Sequence, residues 1–100
     1  MVTCYTKLLV LETVTGRFIK ISVDELKKTM RILNNIKKHR ENKTITLLDY
    51  CEAMGMFPIA SGDMIGWDKS VKRIDWNLNL SIRNDLLIFN LNVTDPRLFI

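Results

Sequence analysis

Few side chains in this sequence could do chemistry: one histidine, His39; two cysteines, Cys4 and Cys51; and a loose set of aspartates, Asp63, Asp68 and Asp75. A hydrolytic or transfer centre needs a nucleophile with a base in reach, or a metal cluster. His39 stands in "KKHRE", a solvated charge run after a helical pattern, which is a poor setting for a general base. Cys4 and Cys51 lack C-x-x-C spacing, and two thiols with one histidine do not complete a zinc site. Each cysteine falls in an apolar segment and is expected to pack as a buried thiol. Asp63 and Asp68 flank Gly66, and Asp75 follows on the polar side of a strand pattern. Three carboxylates can gather a divalent cation, but their spacing matches no calcium loop, and aspartate in such a stretch is first a turn former. No Walker loop, G-x-G-x-x-G or H-E-x-x-H occurs. The expectation is a protein that is not an enzyme and carries no cofactor or metal.

Binding is the alternative, and two candidate surfaces stand out. Between Arg17 and Lys43 there are nine Lys/Arg against three acids, whereas the remainder holds six basic and eight acidic residues. The whole excess of a +4 chain therefore lies in one hairpin arm and one helix. Lys27, Lys28, Arg31, Lys38 and Arg40 would project from one side of that helix and its end, a face able to track phosphates or meet an acidic partner. No aromatic residue interleaves with these charges in the sequence, and no helix-turn-helix signature appears. The second surface is "SGDMIGWD", Ser61 to Asp68. Its glycines suggest a structural corner with unusual backbone angles and Trp67 plugging the core. The functional alternative is a protruding loop with Met64, Ile65 and Trp67 as an apolar anchor for a protein partner.

The elements that must position these residues are legible in pattern. "CYTKLLVLETVTGRFIKIS" should fold into a hairpin about a three-residue loop, Val14-Thr15-Gly16, which sets Leu11 opposite Ile19 and Leu9 opposite Ile21 on one face. Ser22 and Glu25 form a capping box with Ile21 and Leu26 as its staple, opening a helix over residues 24–40 with Val23, Leu26, Met30, Leu33 and Ile36 along its stripe. Thr46 and Asp49 repeat the box for a shorter helix that buries Leu47, Tyr50, Cys51 and Met54 and ends at Gly55, with Pro58 beyond. From Ile74 to Ile82 apolar and polar residues alternate strictly. A two-residue turn at Asn84-Asp85 would oppose Ile82 to Leu87, Leu80 to Phe89, Leu78 to Leu91 and Trp76 to Val93. The expected fold is a single α+β domain over residues 1–100: N-terminal hairpin, two helices, C-terminal hairpin, with an antiparallel sheet packed against the helices. No apolar run approaches a membrane span. The N-terminus lacks signal-peptide order, so a cytoplasmic location, with no membrane partner, is expected.

"TLLDYCEAMGMFP", "SGDMIGWD" and "IDWNLNL" followed by "DLLIFNLNVTDPRLF" resemble a segment of uncharacterised proteins encoded by phages and prophages. Gly62, Asp63, Gly66 and Trp67 match its Gly-Asp-x-x-Gly-Trp turn, Gly55 its helix end and Pro96 its final proline. The likeness covers Thr44 to Ile100; Met54-Gly55 replaces the usual Leu-Gly, the hairpin turn is shorter, and the basic N-terminal half has no counterpart. This resemblance brings no activity and implies a genetic setting, a bacterial host cell. It leads to the expectation of a small accessory protein that binds, and inhibits or modulates, a host or defence protein handling nucleic acid. The alternatives are nucleic-acid binding through the basic helix face, or a virion component assembling through its edge strands.

Overall fold

The computed structural model describes residues 3–81, 86–93 and 95–99. Chain order is β1 (Leu8–Glu12), β2 (Arg17–Ile21), α1 (Val23–His39), β3 (Ile45–Thr46), α2 (Leu47–Met54), a 3-10 turn at Gly62–Met64, β4 (Ile65–Trp67), β5 (Trp76–Leu80), β6 (Leu87–Leu91) and β7 (Arg97–Leu98). The strands form two sheets, ordered β2-β1-β6-β5 and β3-β4-β7. The class is α+β as expected, with two departures. The joint between β1 and β6 is parallel, because both helices and the strands β3, β4 and β5 intervene in sequence and carry the chain back to the same end. The second half of "SGDMIGWD" is itself a strand, β4, which pairs with β3 and, past Pro96, with β7.

The first hairpin corrects the expected register by one residue. Leu8 lies opposite Ile21, Val10 opposite Ile19 and Glu12 opposite Arg17, so the connection is Thr13–Gly16 and the other face turns inward. Val10 and Ile21 are buried, whereas Leu9 and Phe18 are 57% and 58% exposed. The inward face carries Glu12, which a hydrophobicity pattern assigns to solvent. Glu12 is fully buried and satisfied: its carboxylate accepts from Tyr50 Oη at 2.7 Å, from the Thr15 amide at 3.1 Å and from the Thr15 hydroxyl. A buried carboxylate with this set of donors is tolerated where an unpartnered one would not be.

Both helices begin at the expected capping boxes, Ser22 with Glu25 and Thr46 with Asp49, each with both reciprocal hydrogen bonds formed. Gly55 closes α2 at φ 72°, the left-handed cap. The inner stripes bury Leu26, Met30 and Leu33 from α1 and Leu47, Tyr50, Cys51 and Met54 from α2. Of the two cysteines only Cys51 is buried; Cys4 is exposed, a correction, because it precedes the first strand instead of lying within it.

In the second hairpin the same faces meet, but displaced by two residues from expectation: Trp76 opposes Leu91, Leu78 opposes Phe89 and Leu80 opposes Leu87. A shift of two preserves the alternation, so the pattern could not tell the two registers apart. The expected Asn84-Asp85 turn lies outside the described residues. Phe89 is fully buried at the centre of this sheet, whereas Leu80 is 64% exposed at the strand end.

Candidate anion-binding groove

Lys27, Arg31, Asn34 and Lys38 follow one another along α1 at steps of four, three and four residues, which aligns them in one row about 16 Å long. Against this row runs the extended segment 73–75 that leads into β5. It is clamped from two sides. The Asn34 side chain accepts the Ile74 amide at 2.9 Å and donates to the Ile74 carbonyl at 2.7 Å. From β6's end, Asn92 Oδ1 accepts the Asp75 amide at 2.8 Å and its Nδ2 donates to the Arg73 carbonyl at 3.2 Å. Ile74 is thereby driven into the core, and its neighbours Arg73 and Asp75 are turned outward and exposed.

Between helix and segment lies an open groove of about 880 Å³, lined by Lys27, Arg31, Lys38 and Arg73 together with the buried Met30 and the part-buried Trp76. Two carboxylates also reach it, Asp24 and Asp75. Asp24 is engaged by Lys28 Nζ at 3.3 Å, and Asp75 accepts the Trp76 amide at 2.9 Å. Four cations against two carboxylates leave a net positive potential in the trough, and its apolar lining of Met30, Ile32 and Trp76 concentrates that field.

The structure separates the basic residues that the sequence grouped together. Lys27, Arg31 and Lys38 share the groove; Lys28 sits beside it, occupied with Asp24. Arg40 does not belong, which corrects its expected place in the patch. Its guanidinium grips Asp49 at 2.7 and 3.3 Å and the Thr44 carbonyl at 3.2 Å, and that contact raises its pKa further. Two other residues of the charge count are also committed to the fold. Arg17 donates to Thr15, to the Phe57 carbonyl and to Cys51 Sγ. Lys37 is buried with Nζ on the Lys43 carbonyl at 2.7 Å, and desolvation lowers its pKa against the pull of Asp68. Arg73 and Trp76 were missed. They lie far along the chain from α1, and the statement that no aromatic interleaves with the charges holds in sequence but fails in space, since Trp76 lines the same trough.

The "SGDMIGWD" stretch is a corner. Trp67 is 3% exposed and meets Tyr50 edge-on with ring centroids 5.9 Å apart, so it is not available as a surface anchor. Met64 is 52% exposed and Ile65 half-buried in β4. Gly66 is required for space instead of for an unusual angle: a Cβ there would stand 2.1 Å from the Ile45 carbonyl oxygen. The left-handed residue of the corner is Ser61, at φ 62°. Asp68 behaves as the expected turn former, its carboxylate held by the Ser70 hydroxyl and amide, which lowers its pKa. Among the described residues no group of three His, Cys, Asp or Glu could hold a metal ion, and no helix is long and apolar enough to cross a membrane. His39 is exposed at the end of α1.

A family model described as "Family of unknown function (DUF6353)" matches residues 1–96, taking in the basic N-terminal half as well as the corner and the second hairpin. No curated protein and no solved structure matches the chain.

Proposed function

The chain belongs to this family of unknown function, and from that premise we propose that it is a binding protein, without catalysis of its own, that holds nucleic acid by its phosphates in the groove between α1 and residues 73–76. What carries the reading is the convergence of Lys27, Arg31, Lys38 and Arg73 on one trough, none of the four taking part in a salt bridge among the described residues. Cations not spent on the fold are what a polyphosphate backbone needs, because each phosphate they neutralise releases condensed counterions. The non-catalytic half of the proposal draws on buried and part-buried polar groups. Glu12, Lys37, Asp49 and Tyr50 are each taken up in hydrogen bonds that hold elements together. The reading of a protein-binding inhibitor, of a phage accessory kind, rests on the motif-free domain and the phage resemblance; of the loop residues offered as its anchor, Trp67 is inside and Met64 is exposed.

The test is binding of labelled DNA and RNA oligonucleotides at about 50 mM salt, by fluorescence anisotropy. The double substitution Lys27→Glu, Arg31→Glu should weaken binding at least tenfold and flatten the log affinity against log salt slope by about 1.5. No detectable affinity at low salt, or affinity indifferent to the double substitution, would remove nucleic acid as the ligand.

A further inference from the structure

We infer that the groove takes single-stranded nucleic acid, with an unstacked base laid on the Trp76 indole while Lys27, Arg31, Lys38 and Arg73 hold the adjoining phosphates. This deepens the proposed function and rests on it. The observation is the placement of Trp76. It is the first residue of β5, part-buried, packed against the core and lining the trough. Its backbone is held on two sides: the amide donates to Asp75 Oδ1 at 2.9 Å, and the strand pairs Trp76 with Leu91. The backbone that carries the ring is thereby fixed, and the ring's packing against the core limits the side-chain freedom to be lost when a base stacks on it.

The part-buried aromatic discriminates between ligands. In a duplex the faces of the bases are covered by their neighbours, and only phosphates, sugars and base edges reach the surface. A part-buried indole sharing a groove with four cations has nothing to stack on in such a ligand. In a single strand each base carries a free face, and a cationic groove with an aromatic floor is the arrangement that non-sequence-specific single-strand binders use. The cations come from two elements, Lys27, Arg31 and Lys38 from α1 and Arg73 from the segment before β5, so the backbone can be held while a base turns onto the indole. Stacking of this kind is tolerant of sequence, since every base has a π-face. The groove should therefore prefer single strands to duplexes without strong base preference.

The experiment uses the full chain with a labelled oligo(dT) and a duplex of the same length, at one salt concentration. Anisotropy and intrinsic tryptophan emission are followed together. The expected result is at least tenfold tighter binding of the single strand, with quenching of tryptophan emission that the duplex does not produce. Trp67, shielded in the core, contributes a constant background. Trp76→Leu should cost the single strand about tenfold or more and leave the duplex affinity unchanged. Trp76→Phe, which keeps most of the packing, should lie between the two and guards against a fold defect in the leucine variant. Equal or tighter binding of the duplex, without quenching, would overturn the single-strand inference and leave the nucleic-acid reading standing. Absence of binding to both would bring down the two together.

Discussion

Asn34 and Ile74 are joined by a reciprocal pair of hydrogen bonds, the asparagine side chain accepting the Ile74 amide at 2.9 Å and donating to its carbonyl at 2.7 Å. In effect one side chain of α1 stands in for a missing strand and satisfies both polar groups of a residue that is fully buried. Removing it should expose the cost directly. Asn34→Ala is expected to lower stability by about 2–4 kcal/mol, since a buried donor and a buried acceptor are both left without partners. Urea unfolding followed by circular dichroism measures this; a loss below about 0.5 kcal/mol would mean that water replaces the clamp.

The Glu12–Tyr50 pair should make the fold sensitive to alkali. Burial above all, and then the charge and hydrogen bond of Glu12, hold the Tyr50 phenol well above its ordinary value. The folded chain keeps that proton after the unfolded chain, whose phenol titrates at about 10, has released it. Stability is therefore fully present below pH of about 10 and falls as pH rises beyond it. Tyr50→Phe should remove that slope while costing about 1–3 kcal/mol at neutral pH, because Glu12 loses a donor. Unfolding curves for both proteins between neutral and alkaline pH decide the point.

Acid should act at the start of α2. Burial pushes the Asp49 carboxyl up, but Arg40's two-pronged contact and the Thr46 backbone and hydroxyl together outweigh it and leave the pKa below the usual range. A carboxylate whose folded pKa is depressed stabilises above its unfolded value, about 4, and that contribution disappears as pH falls through the folded value. Asp49→Ala should cost about 1–2 kcal/mol at neutral pH, through the lost cap and the lost partner of Arg40. Its penalty should shrink as pH drops below about 4. A penalty independent of pH would assign the effect to packing alone.

Gly66 offers a steric prediction. A methyl there would meet the Ile45 carbonyl oxygen at 2.1 Å and the Thr46 Cα at 2.8 Å, both backbone atoms of the neighbouring strand β3. Gly66→Ala should part β3 from β4 and destabilise by about 3 kcal/mol or more. Gly62→Ala, whose nearest contact would be 3.3 Å, is the control and should be milder. Thermal melts of the two variants side by side would test the difference.

What the sequence determined by itself was local. Capping boxes, the helix stripes, the left-handed cap at Gly55 and the alternation of β5 are written in residues a few positions apart, and such interactions form wherever the chain goes. The inward face of the first hairpin was decided by tertiary structure, because Glu12 becomes a buried residue only when Tyr50, 38 positions later, supplies a hydroxyl. The second hairpin's register was decided the same way, since a slip of two leaves the alternating pattern unchanged and only contacts made in the folded chain distinguish the choices. The groove follows suit. Its basic row on α1 is readable from helical spacing, but which cations remain free depends on Asp49 holding Arg40 and on carbonyl groups holding Lys37. Its far wall exists because Asn34 and Asn92 pin residues 73–75 from opposite sides, bringing Arg73 and Trp76 to a helix 40 positions away. Charge and period are properties of a sequence, whereas the partner that consumes a charge or frees it is a property of the fold.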